Sequence, residues 1–423
     1  MLPVDLHTKD VPEIIARFSD VVGVRHWIRR AAAIKSHAKG QPHLREYLLE
    51  QNAIAVALSK TTDIASRYGV LPLQFVNNRE LYPAFRLAAQ SLSVIEAAAP
   101  ERRSKFVRRL HGAFNNPDEM RAIQLELGVA THFVRRGYSI TWPEMDDSGT
   151  FDLLIHGVGA RGLEVECKSV SNDRGRKIHR RDAIEFNDLV RRKLEGFAQR
   201  LRTGLAIVLT VPDRLPTAFQ HRKVLVEELA RAVIGGKSAC LEDGSEMRLS
   251  EFDVAEYPDL GPPMSPRLRA DVDKITATWN REVMILGRKS AGALVFVIQS
   301  LQEDPFFSYI FNSVAEASRN QLTKERAGMV LVGLDGLSSI ELEATAKQDK
   351  KPDEAPTVLR RKASKFLGGD GTSHLVGIGF LSRDELVPEE EGRVSTGGIA
   401  YHFPKRESHF WHDDFNGLFA ESE

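Results

Sequence analysis

The stretch LEVECKS, residues 163–169, carries the pattern that decides the fold. Apolar and charged side chains alternate along it, which is the period of a β-strand whose two faces differ. The charged face comprises Glu164, Glu166 and Lys168. An ordinary solvent-exposed strand shows the same pattern, and the motif Glu166-Cys167-Lys168 is short enough to occur by chance. The interpretation of this strand therefore depends on the neighbouring sequence.

The segment TFDLLIHG, residues 150–157, predicts a second strand that brings another carboxylate beside the first. The glycine-rich sequence between the strands, residues 157–162, supplies a turn. If the turn centres near residues 159–160, antiparallel pairing places Asp152 opposite residues 166–168 and on the same face. A register slip of one residue would move Asp152 to the other face, and the sequence leaves that alternative open.

A helix before these strands adds a third carboxylate. The sequence NPDE at residues 116–119 is typical of a helix start, and Gly137 is typical of a helix end, so residues 117–136 are predicted to be helical. Glu126 lies on the apolar stripe of this helix, where a carboxylate is costly unless it is paired or linked to a metal. Two interpretations stay open for it, a structural salt bridge and membership of the site.

Converging carboxylates without a histidine or cysteine cluster suit a hard, oxygen-ligated cation. We therefore expect Mg²⁺ as the cofactor, with Mn²⁺ as a substitute. Such a metal polarises a phosphate oxygen and lowers the pKa of an attacking water, and a neighbouring lysine stabilises the developing negative charge. This combination favours phosphodiester hydrolysis.

The order of these residues resembles that of the PD-(D/E)XK, or restriction-endonuclease-like, nucleases, in which a helical glutamate, a strand aspartate and a (D/E)XK strand follow one another. In this chain they are Glu126, Asp152 and Glu166-Cys167-Lys168. The resemblance implies that Asp152, Glu166 and the main-chain carbonyl of Cys167 bind the metal. It also implies that Lys168 assists the attacking water and that Glu126 supports the metal shell.

The resemblance covers roughly residues 117–212, and Phe151 stands where the family's name motif has proline. It implies an α/β fold with a restriction-endonuclease-like mixed sheet flanked by helices. Family prevalence favours DNA over RNA as the partner, and an endonuclease over an exonuclease. Two alternatives stay open: a catalytically inactive nucleic-acid-binding or protein-interaction module on the same fold, and an unrelated α/β protein whose strand shows charges to solvent.

A basic segment follows the LEVECKS strand. Residues 161–202 hold 12 Lys and Arg against 7 Asp and Glu, a surplus of five positive charges in a neutral chain. Cations beside a metal site are what contact with a phosphate backbone requires. The predicted nucleic-acid-binding residues are Arg174, Arg176, Lys177, Arg180 and Arg181. An ordinary basic surface loop is the alternative.

Hydrophobic patterning divides the chain into three predicted regions. They are a helical N-terminal domain (1–115), a nuclease-like core (116–240) and a mixed α/β C-terminal region (241–423). The core is expected to contain a helix, three strands, a second helix and an apolar strand at residues 205–211. A further strand–helix–strand unit is predicted between residues 293 and 334. Whether the C-terminal region extends the core sheet stays open.

The composition of the 423 residues excludes several classes of protein. Lys+Arg and Asp+Glu are both 58, and this net charge of +0 argues against a histone-like polycation. Two cysteines exclude a disulfide framework and a multi-cysteine zinc site. Because no apolar run approaches the roughly 18 residues of a membrane span and the N-terminus shows no signal-peptide pattern, we expect a cytoplasmic protein without a membrane partner. The regions that flank the core are candidate surfaces for a homodimer or a protein partner.

Overall fold

The computed structural model describes residues 6–145, 147–171, 173–257, 265–276, 281–288, 292–335, 339–382, 385–388 and 393–419. The chain is a mixed α/β protein, as predicted. It divides into a first unit, Met1–Gly40, Leu48–Asn172 and Phe307–Glu423, and a second unit, Gln41–Tyr47 and Asp173–Phe306. Within the described ranges, no helix combines the length and the apolar character that crossing a membrane would require.

The N-terminal region is helical, as predicted, apart from a short strand β1 (Leu6–His7). It is not a separate domain, because Trp27 and Phe85 belong to the same buried apolar cluster as Phe133 and Val165 of the following elements. The helices bury their apolar stripes against those elements. Their bounds are α1 (Val11–Val22), α2 (Arg25–Gly40), α3 (Arg45–Gln51), α4 (Ala53–Tyr68), α5 (Tyr82–Ala97) and α6 (Pro100–Ala113).

The helix and three strands predicted around LEVECKS are all confirmed. The helix begins where the Asn116 side chain accepts a hydrogen bond from the Asp118 N–H at 3.1 Å, and it ends just before Gly137, whose φ is +86°. Antiparallel pairing places Leu153 opposite Val165. The elements are α7 (Pro117–Arg135), β2 (Ser139–Thr141), β3 (Leu153–His156) and β4 (Leu163–Val170).

The second unit has its own five-stranded sheet. Phe186, Leu229 and Phe296 share an apolar cluster on one face, and Leu268 and Val297 share another cluster. The elements are α8 (Arg180–Ala198), β5 (Gly204–Val211), α9 (Phe219–Ile234), β6 (Ala239–Cys240), β7 (Glu246–Phe252), α10 (Pro266–Ile275), β8 (Arg281–Arg288) and β9 (Gly292–Ser300). Their order in the sheet is β6-β7-β5-β9-β8.

The remaining elements are α11 (Phe306–Asn320), β10 (Ala327–Leu334), α12 (Ser339–Lys350), α13 (Val358–Leu367), β11 (Leu375–Leu381), β12 (Glu385–Pro388), β13 (Arg393–Gly397) and β14 (Ala400–Pro404). With them the chain completes the sheet of the first unit, whose strand order is β14-β11-β10-β4-β3-β2. Strand β10 runs parallel to β4, and β11 runs parallel to β10. A three-stranded sheet has the order β1-β13-β12.

The predicted nuclease-like core, residues 116–240, is wrong in its second half. Residues 173–240 belong to the second unit, where β5 pairs with β7 and β9. The strand that pairs with β4 on the side away from β3 is β10, which lies outside the predicted core. The predicted unit at residues 293–334 is divided in the same way, since β9 and β10 lie in different sheets. The physical reason is that β5, β9 and β10 are predominantly apolar, so their composition specifies no partner.

Candidate active site

The charged face of β4 is buried rather than solvent-exposed. Glu164 is 0% exposed and Glu166 is 2% exposed, so the interpretation as an ordinary outer strand is wrong. Glu164 has a structural role, because its carboxylate accepts a hydrogen bond from the Thr323 N–H at 2.8 Å and lies 3.1 Å from Nε of Arg326. A buried carboxylate is costly unless its oxygens have hydrogen-bond or ionic partners. Both oxygens of Glu164 have such partners, whereas one oxygen of Glu166 has none among the described residues.

Asp152 lies beside Glu166, as the predicted pairing requires. Because Leu153 pairs with Val165, Asp152 takes the position opposite Glu166 and shares its face. The Cys167 N–H donates a hydrogen bond of 2.7 Å to Oδ2 of Asp152, which holds the aspartate across the gap between the strands. The register slip is therefore excluded, and Asp152 is buried.

Lys168 completes this group. Its Nζ lies 3.0 Å from Oε1 of Glu166, and 27% of its side chain is exposed. The other oxygen, Oε2 of Glu166, is buried and has no hydrogen-bond partner among the described residues. An unsatisfied buried carboxylate oxygen is costly, and such an atom is a natural ligand for a bound cation.

Glu126 is buried on α7 and forms an ion pair. Both of its carboxylate oxygens accept hydrogen bonds from the Arg109 guanidinium, at 2.6 and 2.7 Å. Nε of Arg109 also donates to Glu119 at 2.7 Å. Of the two interpretations of Glu126, the geometry supports the salt bridge. Its predicted support of the metal shell would therefore act through the negative charge rather than through ligation.

Arg109 was not among the residues predicted for this site. The signal was present, because Arg109 falls between Phe106 and Ala113 at helical spacing, on the buried side of α6. A cation on an apolar stripe and a carboxylate on the next apolar stripe are candidates for each other. Glu144, in the loop after β2, was also missed, and no pattern in its neighbourhood marks it.

Burial and like charges raise the pKa values of the carboxyls at this site. Burial raises the pKa of Asp152 well above its ordinary value, and the charges of Glu126 and Glu166 raise it further. Burial also raises the pKa of Glu166 to about 7, although Lys168 works in the opposite direction. When its carboxyls are ionised, the site therefore holds more negative charge than Arg109 and Lys168 neutralise. A bound divalent cation would neutralise the remaining negative charge.

The charge of Glu144 raises the pKa of the same carboxyls. Its carboxylate is exposed and acts on Asp152, Glu166 and Glu126 alike. The pKa of Glu126 is raised by burial, and the bonds from Arg109 oppose that rise. An exposed carboxylate beside buried ones extends the negative potential to the solvent edge of the site, which favours entry of a cation.

The residues at this site fit a magnesium ion held by few protein ligands. The described residues contain no group of three or more His, Cys, Asp or Glu side chains arranged to hold a metal. Mg²⁺ commonly keeps several waters and binds one or two carboxylates, which Asp152 and Glu166 can supply. The unsatisfied Oε2 of Glu166 is the atom best placed for this. The Cys167 carbonyl as a further ligand stays a prediction.

Cys167 itself is a core residue, as its alternation predicts. Its side chain is buried in the apolar cluster shared with α7, and burial raises the pKa of the thiol well above its ordinary value. A thiol that resists ionisation in this way is a poor nucleophile.

The five predicted nucleic-acid-binding residues lie in the second unit. Several of them contact acids there: Arg176 lies 3.7 Å from Asp304, and the Lys177 ammonium pairs with Asp213. Arg181 lies 3.2 Å from Glu185. Contact with nucleic acid stays a prediction for the set, which comprises Arg174, Arg176, Lys177, Arg180 and Arg181.

No family model matches the chain, and comparisons with curated proteins and with solved structures found no match either. A functional interpretation therefore has to depend on the geometry and electrostatics of the site.

The metal-free protein should lose stability as the pH rises from about 4.5 to about 7. In this range the unfolded chain releases the Glu166 proton, whose ordinary pKa is 4.5, while the folded protein retains it until about pH 7. The raised pKa values of Asp152 and Glu126 act in the same direction. Thermal melts with EDTA at several pH values measure this slope.

Glu166→Gln is the control for this measurement, because it removes one titrating group and should flatten the slope. Added Mg²⁺ should raise the melting temperature most above pH 7, where the carboxylates are ionised. A wild-type slope that Glu166→Gln leaves unchanged would contradict the assignment of the titration to this residue.

Proposed function

We propose that this chain is a Mg²⁺-dependent nuclease with a restriction-endonuclease-like core, and that its substrate is DNA. The observation that carries the proposal is the group formed by Asp152, Glu166 and Lys168, with a buried and unsatisfied carboxylate oxygen at its centre. Two carboxylates beside an ammonium suit phosphodiester hydrolysis, and the donor set is too hard for copper or structural zinc.

The order of elements supports the same proposal. The first unit contains a helix, three strands, a helix and a strand in the succession α7–β2–β3–β4–α11–β10, with residues 173–306 inserted between β4 and α11. This is the succession expected from the resemblance, with α11 and β10 in the places predicted for residues 180–211. The central pair in this arrangement is β4 beside β10, which run parallel.

Each side chain of the site has a separate role in the proposed hydrolysis. When bound, Mg²⁺ would neutralise phosphate charge and lower the pKa of the attacking water. Asp152 is held by the Cys167 N–H, and Glu166 is oriented by Lys168, so both carboxylates are positioned before substrate arrives. The Lys168 ammonium is partly exposed and can donate to the water or to a phosphate oxygen as negative charge develops.

The direct test incubates the purified chain with plasmid DNA, single-stranded DNA and RNA, with Mg²⁺, with Mn²⁺ and with EDTA. We expect Mg²⁺-dependent cleavage of DNA that EDTA abolishes. Lys168→Ala should lower the rate by about 10²–10³-fold, the usual loss when one group that stabilises developing charge is removed. Lys347→Ala is the control, because that exposed lysine forms an ion pair with Glu343 of its own helix, α12.

Cleavage that resists EDTA, or that survives Lys168→Ala, would show that this site is not the catalyst. If the protein binds DNA but cleaves none of the substrates, it is the inactive binding module instead. Cleavage of RNA alone would support metal-dependent phosphodiester hydrolysis at this site but contradict the proposal that the substrate is DNA.

A further inference from the structure

The first unit contains a cavity of about 820 Å³ between α7 and the carboxyl ends of three parallel strands. Ser169 of β4, Leu334 of β10 and Leu381 of β11 lie at those ends and line it. Small-molecule sites commonly have volumes of about 300–1,000 Å³. In open α/β sheets, ligands bind outside the carboxyl ends of the strands. Size and position therefore both mark this cavity as a ligand site.

The cavity is distinct from the candidate active site. Ser169 follows Lys168 directly on β4, and successive side chains of a strand point to opposite faces. Leu331 and Gly333 of β10 line the cavity, and Leu331 belongs to the apolar cluster that includes α7. Among the described residues, neither Glu166 nor Lys168 lines it. Glu166 and Lys168 thus project from the face of β4 opposite to Ser169, and Glu126, although it lies on α7, is not part of the lining either.

The charged lining of the cavity is predominantly basic. Two acids, Glu50 and Asp335, face five arginines there. Arg121 contacts Asp335 at 3.5 Å, and its Nε is buried without a hydrogen-bond acceptor among the described residues. The planar guanidinium fork matches the oxygens of a phosphate. The arginines are Arg79, Arg86, Arg121, Arg135 and Arg136.

Another part of the lining is apolar. Phe114, Met120 and Ile399 contribute side chains without hydrogen-bonding groups, and Tyr82 adds an aromatic ring. A ligand that fills this space needs an apolar or aromatic body as well as an anionic end. Inorganic phosphate alone would leave the apolar part unused, and a purely apolar ligand would place no anionic group against the arginine-rich part of the lining.

We propose that this cavity binds a small nucleoside phosphate, with the arginines on the phosphate and the apolar lining on the base. The test is calorimetry and thermal melting with AMP, ATP, adenosine and inorganic phosphate, in EDTA so that the metal site does not contribute. We expect AMP or ATP to bind and to raise the melting temperature with concentration. Adenosine and phosphate alone should bind at least tenfold more weakly.

The variant Arg79→Glu/Arg135→Glu replaces two exposed arginines of the lining and should weaken AMP or ATP binding at least tenfold. Arg79→Gln/Arg135→Gln tests the same point if the charge reversal disturbs folding. Arg67→Glu is the matched control, since that exposed arginine lies on α4 outside the lining. The Glu166→Gln variant should bind as the wild type does, which makes this result independent of nuclease activity.

Three results would overturn the proposal. They are no binding of AMP or ATP at millimolar concentration, equal binding of adenosine and AMP, and wild-type affinity in both arginine double variants. A loss of binding in Arg67→Glu as large as in the double variants would also overturn it. The weaker binding would then come from the change in the protein's net charge and not from the arginines of the cavity.

Discussion

Glu166→Gln should lower Mg²⁺-dependent DNA cleavage about a thousandfold while the protein remains folded. The substitution removes the negative charge from a predicted metal ligand, and electrostatic stabilisation by a bound metal is worth several kcal/mol in the transition state. Since about 1.4 kcal/mol corresponds to a factor of ten, a loss of about 4 kcal/mol gives that rate. Asp152→Asn should have a similar effect. Initial rates on plasmid at saturating Mg²⁺ measure both.

Glu164→Gln is the matched control for this prediction. Glu164 lies two residues away on the same strand and the same face, and it is equally buried. Its carboxylate pairs with Thr323 and Arg326 instead of facing the site. We expect it to lower the free energy of unfolding by about 1–3 kcal/mol, the cost of a damaged buried charge pair. Its cleavage rate per folded molecule should stay near that of the wild type.

If Glu166→Gln cleaves as fast as the wild type, the metal site is assigned to the wrong residues. If Glu164→Gln loses as much activity as Glu166→Gln, the loss reflects general damage to β4. Circular dichroism of each variant separates unfolding from loss of chemistry.

Arg109→Met should lower the free energy of unfolding of the first unit by about 3–5 kcal/mol, the usual cost of removing one partner from a buried ion pair. The substitution leaves Glu126 buried without its two short hydrogen bonds. Only 6% of the Glu126 side chain is exposed, so solvent cannot take the place of the guanidinium. Urea denaturation followed by circular dichroism measures the change.

The double variant Arg109→Met/Glu126→Leu should recover much of this loss, because a well-packed apolar pair can replace a buried ion pair at little cost. Lower pH should also reduce the deficit of the single variant, since protonation of Glu126 removes the unpaired charge. If Arg109→Met lowers the free energy of unfolding by less than about 1 kcal/mol, the pair contributes little to folding. The same conclusion follows if neither the double variant nor lower pH restores the lost stability.

The hairpin that carries the site could be predicted because its signals are local. Alternation in LEVECKS, the glycine turn before it and the position of Asp152 are all contained in about 20 residues. Together they predict the two strands and their antiparallel pairing, while the exact register is fixed only by the observed pairing of Leu153 with Val165. The helix that carries Glu126 was equally predictable, because its cap at Asn116 and its end near Gly137 are marked by residue type.

The neighbour of β4 could not be predicted, because strand pairing over long separations leaves no local mark. Strands β5 and β10 are similarly apolar, and proximity along the chain led to the prediction that residues 205–211 belong to the same core as β4. The structure pairs β10 with β4 and gives β5 to another sheet. The Arg109–Glu126 pair left a partial signal, since each residue lies on the apolar side of its helix, but a charge on an apolar stripe indicates only that a partner is needed and not which residue it is.

The insertion of residues 173–306 between β4 and α11 has a consequence for synthesis of the chain. Residues paired between β4 and β10, such as Val165 and Met329, are about 160 positions apart. At about 5–20 residues per second, a ribosome needs roughly 8–33 s to make that length. During this interval one edge of β4 lacks its native neighbour, and the carboxylate site stays open on that side. A nascent chain therefore acquires its complete site only after more than three quarters of it has been translated.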